Sequence, residues 1–229
     1  MMVAVGIVLL SVVVAAATIG LLIARAGRRA AIVAAIVLVS MVAIDLALAS
    51  QGVLADWTRR PPPFMLAMAV AVGLSLGTAL SPVGARIAAG ASMAAIIGIQ
   101  SFRLPLEIVM HHAATTGLMP VQMTYTGRNF DILTGALAVP VAYLASRGRA
   151  SRGLIWAWNL LGIGLLVNIL AIAVASTPLF AAFGPDRLNT WVAHPPFIWL
   201  PTIMVVAAFA GHKATEGFAL PARSLGTDN

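Results

Sequence analysis

The sequence predicts an all-α protein, a polytopic bundle of about seven transmembrane helices that forms a single domain over residues 1–229. Two compositional observations favour this fold: 61% of the residues are hydrophobic and only 9% are charged. A soluble domain carries roughly 25% charged residues. In addition, the apolar residues occur in blocks of about twenty, the length that a helix needs to cross a hydrocarbon core about 30 Å thick. Lipid is therefore the expected solvent.

Seven apolar blocks define the predicted spans. They cover residues 2–24, 30–52, 64–83, 87–110, 130–146, 154–175 and 195–212. The spans leave only short connections and no room for a separate soluble domain. Pro140 in the fifth span and Pro201 in the seventh each remove one backbone donor, so we expect both helices to kink.

Positive charges predict the orientation of the bundle. The short loops RAGRR, after the first span, and RGRASR, after the fifth, each contain three arginines and no acidic residue. Such loops stay in the cytoplasm, which places the N-terminus outside and the C-terminus, with Arg223, inside. No basic residue precedes the first block, so we expect a first span and not a cleaved signal peptide. The expected location is a plasma membrane of the bacterial inner-membrane type.

Composition also excludes several classes of function. The net charge is +7, but the arginines lie one to three at a time at the ends of apolar blocks. This placement suits anionic lipid head groups and not a nucleic-acid partner. The absence of cysteine excludes disulfides, thiolate catalysis and Cys-based metal centres. No internal repeat is visible, so the inverted-repeat design of many transporters is not indicated.

Small residues at spacing four predict two helix-packing faces. The third span carries Ala69, Gly73, Gly77 and Ser81, and the fourth carries Gly90, Ala94 and Gly98. Such residues let helix backbones approach closely where lipid supplies no hydrophobic drive.

The segment 100–131 is too polar for a plain span and too apolar for a solvated loop. A helix over 87–117 would be about 46 Å long, well beyond the hydrocarbon core. The chain must therefore project outward or break. We favour a kink at Pro105, followed by a short interfacial or re-entrant helix that ends near Gly117.

This segment supplies the candidate catalytic residues. Arg103, Glu107 and His111 follow at successive spacings of four, which places them on one helical face. A carboxylate beside an imidazole suits general acid/base chemistry, because the acid orients the ring. We therefore predict Glu107 and His111 as catalytic residues, held in place by Arg103.

Substrate-binding residues are predicted around them. Asp45 is an acid inside a span, which is a functional candidate because it is costly to bury. Arg128 and Asp131 lie in the sequence GRNFD just before the fifth span. Arg103 and Arg128 would orient a lipid-like or small anionic substrate, with Asp45 and Asp131 in the same site.

No cofactor is predicted, but a metal site stays open as an alternative. Glu107 and His111 at spacing four would be two ligands, completed by Asp131, Asp45 or His194. The pattern is unspecific, since the zinc signature His-Glu-x-x-His is absent from the sequence.

Several of these residues also have a structural explanation. A protonated Asp45 bonded to a neighbouring helix would serve only in helix packing. Arg103 and Glu107 would neutralise one another at the membrane boundary, and Asp131 would complement a positive helix end. His194, before two prolines, would be an interfacial loop residue, and His212, beside Lys213, would be solvated. In the sixth span, Asn159 and Asn168 are predicted to form interhelical hydrogen bonds.

Three functions remain after the sequence has been read. The leading hypothesis is a membrane protein whose externally facing polar site binds or processes a lipid-like or small anionic substrate. The second is a transporter that couples to protons through Asp45 or Glu107. The third is a non-catalytic membrane subunit or assembly factor that docks a membrane-protein partner. The sequence does not decide whether the protein is an enzyme.

Overall fold

The structure, a computed structural model, describes residues 1–219, without the side chains at 79, 83, 87–89 and 217–219. Arg223 and the predicted cytoplasmic C-terminus lie outside the described residues. The α-helices of the described range are α1 (Met2–Ala26), α2 (Arg28–Ser50), α3 (Pro63–Leu80), α4 (Pro82–Gly90), α5 (Met93–Ile99), α6 (Arg103–Thr115), α7 (Ile132–Ser146), α8 (Arg152–Ala175) and α9 (Val206–Ala219). Residues 1–219 contain no β-strand, so the all-α prediction is confirmed.

Four helical stretches of the described chain are long and apolar enough to cross a membrane. They are α1, α2, the stretch Met93–Thr115 and α8. Two further helices, Pro63–Thr78 within α3 and α7, are apolar but shorter. The hydrophobic blocks of the sequence are therefore helices, and four of them have the length of a full span.

The helix predicted at 87–110 differs most from its expected bounds. Helix α4 ends at Gly90, and α5 begins at Met93. At the start of α5, the Ser92 side chain accepts a hydrogen bond from the Ala95 amide at 3.2 Å. Serine is favoured at this position because it satisfies a free amide of the first turn. The helical stretch then ends at Thr115.

The predicted break near Pro105 lies a few residues earlier. A 3-10 turn at Gln100–Phe102 joins α5 to α6. Pro105 falls in the first turn of α6, where a missing N–H costs no helical hydrogen bond. Residues 103–115 therefore form the second half of one helical stretch and not a separate short helix after a kink at Pro105.

The helix predicted at 195–212 begins later and ends later. A 3-10 turn at Trp191–Ala193 precedes the prolines, and a π-helical segment, Leu200–Val205, leads into α9. Pro201 lies in this segment, and because proline cannot donate a backbone hydrogen bond, a change of helical register there is physically reasonable. Since α9 continues to Ala219, His212 and Lys213, which were expected at the end of the helix, lie inside α9.

The stretch Met93–Thr115 is the most enclosed of the long helices. Within its most apolar window 44% of the residues are buried, against 11% for α2. In this central stretch, α5 packs against α7, whereas α6 contacts both α1 and α7. Side chains of α6 are therefore held in the protein interior, whereas α2 presents most of its surface outward.

Only one of the two predicted packing faces is used within the chain. A Cβ atom at Gly98 would lie 3.7 Å from the Cβ of Ala142, so α5 and α7 approach closely there. Around Gly73 and Gly77, by contrast, no described atom of a neighbouring element lies within 4 Å of an added Cβ. The packing prediction for Gly73 and Gly77 is therefore wrong for contacts within the described chain.

Candidate functional site

Arg103 and Asp131 form a buried ion pair. The Arg103 Nη1 atom donates to Asp131 Oδ1 at 2.6 Å, and their side chains are 1% and 8% exposed. Arg103 is the first residue of α6, and Asp131 directly precedes α7. A Cβ atom at Gly135 would lie 3.1 Å from the Cβ of Arg103. Glycine at this position therefore lets α7 approach α6 beside the pair.

Asn129 joins this pair to Glu107. Its Nδ2 atom donates to Glu107 Oε1 at 2.5 Å and to the Met123 carbonyl at 3.1 Å. Its Oδ1 atom accepts a hydrogen bond from the Asp131 amide at 3.1 Å. Asn129 therefore bonds to the carboxylate of Glu107 and to the backbone of Asp131. We call Arg103, Glu107, Asn129 and Asp131 the Arg103 cluster.

The Arg103 cluster contains buried polar atoms without a hydrogen-bond partner in the described part of the chain. They are Glu107 Oε2 and two guanidinium nitrogens of Arg103, Nε and Nη2. Leaving such an atom unpaired costs about 1–3 kcal/mol, and more for a charged group. Unpaired atoms of this kind in an interior call for a specific explanation, and a ligand that supplies the missing bonds is one.

An apolar pocket borders the cluster. Its volume is about 700 Å³, including the space at its open side. Five polar side chains contribute to its lining, namely Arg103, Glu107, Asp131, Thr177 and Asn189. The remaining lining is apolar and includes Phe64, Met65, Met68, Leu166, Met204 and Val205. Small-molecule sites have this composition, with an apolar wall and few polar groups.

Asn189 adds a second unpaired acceptor to the pocket. The residue is 1% exposed, and its Nδ2 atom donates to the Ala173 carbonyl at 3.4 Å. Its Oδ1 atom is buried and has no partner in the described residues. The pocket therefore contains unpaired acceptors on both Glu107 and Asn189.

Two connections between helices bond to each other beside the pocket. The Gln122 side chain donates to Ser176 Oγ at 3.0 Å and to the Arg187 carbonyl at 2.8 Å. These bonds join the connection before α7 to the one after α8. Because Met123 and Asn189 also line the pocket, the joined connections form part of its wall.

His212 and Asn159 form a second buried pair. His212 Nδ1 lies 2.8 Å from Asn159 Oδ1, and its ring centroid is 5.2 Å from that of Trp158. His212 is 1% exposed, so its predicted solvation is wrong, because α9 continues past it to Ala219. The hydrogen bond joins α8 to α9, and the interhelical role predicted for Asn159 is confirmed.

His111 and Arg128 lie outside this cluster. His111 Nδ1 is 3.4 Å from Thr126 Oγ1, and its ring stacks on Tyr125 with centroids 4.7 Å apart. The bonded oxygen of Glu107 faces Asn129, and no hydrogen bond joins Glu107 to His111 within residues 1–219. The Arg128 guanidinium is exposed and lies 5.2 Å from the Phe183 ring centroid.

Asp45 and His194 are also apart from the pocket lining. Asp45 is 5% exposed and lies near Thr202 of the π-helical segment. Its Oδ2 atom has no hydrogen-bond partner among the described residues. His194 is exposed. Of the residues predicted to bind substrate, Arg103 and Asp131 are brought together with Glu107, whereas Asp45 and Arg128 are not.

The metal alternative has no structural counterpart in the described range. No group of three or more His, Asp or Glu side chains there is close enough to share one ion. Glu107, His111 and Asp45 each face a different neighbour, namely Asn129, Thr126 and Thr202.

Asn189, Gln122 and His212 are among the buried polar residues that sequence reasoning missed. Asn189 and Gln122 lie in connections, where a polar residue is ordinary and gives no signal. His212 had a signal in Gly162, because a Cβ atom at Gly162 would overlap the His212 ring. A glycine in one helix that makes room for a large side chain of another is, however, recognisable only once the helices are paired.

Together, these observations define an all-helical protein with an apolar pocket that ends against a buried ionic cluster. The chain belongs to the family described as "Domain of unknown function (DUF8737)", whose model matches residues 61–215. All residues that line the pocket fall within the matched range. Helices α1 and α2, with Asp45, precede it. No curated protein and no solved structure matches the chain.

Proposed function

We propose that this chain is a multi-pass membrane protein that binds a lipid-like molecule in the pocket beside the Arg103 cluster. One observation carries the proposal: a largely apolar pocket meets buried charged groups whose hydrogen bonds are incomplete. An amphiphile fits this combination, because its chain removes apolar surface from water and its head group supplies the missing bonds.

The proposed topology has seven crossings, with the N-terminus outside and the C-terminus in the cytoplasm. The crossings are α1, α2, α3, Met93–Thr115, α7, α8 and residues 200–219. In support, the Arg25 side chain packs 3.4 Å from the Cβ position of Gly90, which places the arginine-rich loop after α1 beside the end of α4. The connections joined by Gln122 lie at the other ends of α6 and α8, which would face outward. A plasma membrane is the proposed location.

A lipid-like ligand is favoured over a small anion by the surroundings of the two candidate cations. Arg103 is already paired with Asp131, and Arg128 is exposed and stacks on Phe183. A small anion would therefore find no unpaired cation in the pocket lining, and it would leave most of the apolar wall without a partner.

A photoreactive lipid probe tests the proposal. The purified protein is placed in nanodiscs that contain an alkyl probe with a diazirine in its chain, irradiated and digested. We expect cross-linked peptides from α6, α8 and residues 200–208. Leu166→Trp should reduce this labelling several-fold, because Leu166 is 2% exposed and lines the pocket.

Val167→Trp is the matched control. The neighbouring Val167 is 53% exposed and is absent from the pocket lining, so an equal increase in volume there should leave pocket labelling unchanged. Equal labelling in both variants, or cross-links confined to outward-facing residues, would contradict an internal lipid site.

A proton-coupled transporter is the second candidate, because Glu107 Oε2 is buried and unpaired in a helix that is long enough to span a membrane. Intramembrane acids mark proton and substrate pathways. Uptake into proteoliposomes that depends on a proton gradient, and that Glu107→Gln uncouples, would favour this function. Lipid turnover that Glu107→Gln abolishes while probe binding persists would favour an enzyme.

The third candidate, a subunit that docks a partner, draws on the open face of α3. Gly73 and Gly77 make no close contact with the described chain. Co-purification of a membrane protein that is lost on substitution of Gly73 or Gly77 by leucine, with unchanged probe labelling, would favour this role.

A further inference from the structure

The lining of the pocket allows the head group of its ligand to be deduced, on the assumption that the proposed lipid-binding function is correct. We propose that the pocket selects an amphiphile with a protonated amine head group over the matching alcohol, and that it rejects the matching carboxylate. Two independent observations lead there, the balance of charge around Arg103 and the kind of hydrogen-bonding atom left unpaired.

The charge balance follows from the charged side chains that line the pocket, which are Arg103, Glu107 and Asp131 among the described residues. Asp131 neutralises Arg103 through the ion pair at 2.6 Å. With Glu107 ionised, the cluster has one negative charge in excess, and a bound ammonium group cancels it. With a proton on Glu107, the cluster is neutral, and an amine that enters uncharged and takes up this proton forms the same pair of carboxylate and ammonium. A bound carboxylate adds an uncompensated negative charge in either state, which is unfavourable in a buried site.

The neighbouring imidazole does not change this balance. His212 is close enough to Arg103 to interact electrostatically with it. Its Nδ1 atom is bonded to the neutral amide of Asn159, and His212 is not part of the pocket lining. The charge that a ligand meets is therefore set by the three lining residues.

The unpaired acceptors of the lining point to the same ligand class. Glu107 Oε2 and Asn189 Oδ1 are acceptors, belong to residues that are 2% and 1% exposed, and line the pocket. An ammonium group has three donors and no acceptor, whereas a carboxylate has acceptors only. The amine therefore supplies what these oxygens lack. The free Nε and Nη2 atoms of Arg103 would need water or a neutral acceptor on the ligand.

The positive charge of the whole chain opposes the proposed preference for an amine. The net charge is +7, so nonspecific attraction favours anionic amphiphiles. Nonspecific attraction therefore cannot produce a preference for an amine, and such a preference would have to arise from the pocket.

Competition with a photoreactive dodecyl alcohol probe tests the proposal. The protein is placed in nanodiscs of neutral phosphatidylcholine at pH 7, and dodecylamine, dodecanol and dodecanoate compete at equal mole fractions. We expect the amine to compete about tenfold more strongly than the alcohol, and the carboxylate to compete most weakly.

Three variants test whether residues of the pocket lining determine the ranking of the three amphiphiles. Glu107→Gln should bring the ratio of the competition strength of the amine to that of the alcohol close to one. The substitution removes the excess charge and keeps the side-chain shape. Asn189→Asp adds a negative charge and should raise the ratio. Glu216→Gln is the matched control, since Glu216 pairs with Lys213 at 2.5 Å away from the pocket lining, and it should leave the ratio unchanged.

The outcomes separate this inference from the function on which it rests. If all three amphiphiles compete, but the alcohol or the carboxylate competes as strongly as the amine or more strongly, the head-group assignment is wrong and lipid binding stands. A ratio that Glu107→Gln does not alter also overturns the assignment. If none of the three amphiphiles reduces probe labelling of the pocket peptides, the proposal of lipid binding itself is wrong. Should Glu107→Gln not fold, the wild-type ranking and Asn189→Asp still decide.

Discussion

Asp131 and Asp56 both form an ion pair with an arginine, but only the Asp131 pair is buried. The side chains of Arg103 and Asp131 are 1% and 8% exposed, whereas those of Arg59 and Asp56 are 65% and 31% exposed. Removing one partner of a buried pair leaves an uncompensated charge, which costs about 3–5 kcal/mol. We expect Asp131→Asn to fall at the lower end of this range, because Glu107 also lies near Arg103.

The free energy of unfolding in mixed micelles, followed as denaturing detergent is added, measures this loss. Asp56→Asn is the control with the same chemical change, and it should have little effect because solvent screens the exposed pair. Equal, small losses in both variants would mean that the Arg103–Asp131 bond does not persist in the folded protein.

At the scale of helices, two glycines of α8 provide a matched comparison. A Cβ atom at Gly162 would overlap the His212 ring and lie 2.9 Å from a side-chain carbon of Thr134, whereas around Gly164 no described atom lies within 4 Å. Gly162→Ala should therefore force α8 away from α7 and α9 and cost about 1–3 kcal/mol of unfolding free energy. Gly164→Ala should change stability little or increase it, because alanine favours the helix.

The same detergent titration distinguishes the two alanine variants. A stable Gly162→Ala protein, indistinguishable from Gly164→Ala, would show that His212 does not occupy the space beside α8. The placement of the His212–Asn159 pair would then have to be abandoned.

These helices also show how far local sequence determines the fold. The apolar blocks predict the bounds of α1, α2, α3, α7 and α8 closely, because each of these helices is one uninterrupted apolar stretch of the sequence. The break after Gly90 and the extension of α9 to Ala219 were missed. Both depend on capping and on contacts with neighbouring helices, which alter helix ends more easily than helix centres.

The candidate site was predictable only where its residues share one helix. Arg103 and Glu107 fall on one face by spacing alone, and the structure buries both. The partners that hold them, Asn129 and Asp131, come from the approach to α7, and Asn189 comes from a connection after α8. Periodicity does not indicate which helices become neighbours, so the fixation of Glu107 by Asn129 could not be foreseen, and His111 was placed beside Glu107 instead.

At the scale of the whole molecule, the pocket lies within the matched family range, while α1 and α2 precede the range. Helix α1 nevertheless packs against α6, and a Cβ atom at Gly6 would lie 2.9 Å from a methyl carbon of Val109. The first helix therefore supports the back of the helix that carries Arg103 and Glu107. Helix α2 packs mainly on α1 and is the more peripheral of the two.

The proposed seven crossings depend most on the two shortest apolar helices. At 1.5 Å per residue, the 15 residues of α7 and the 18 residues of α3 span about 22 and about 27 Å, less than the hydrocarbon core of about 30 Å. Modest thinning of the bilayer accommodates such a difference. If either helix fails to cross, the pocket and the arginine-rich loops no longer lie on opposite sides.

Ser50 and Ser146 test this arrangement as a matched pair. Each is exposed, ends its helix and donates through its Oγ to the carbonyl three residues earlier, and the chain has no cysteine of its own. With three crossings between them, Ser50→Cys should react with a membrane-impermeant maleimide in intact cells, whereas Ser146→Cys should react only after permeabilisation. Labelling of both in intact cells would mean that an even number of helices crosses between them, and α7 or α3 would then lie in the membrane without spanning it.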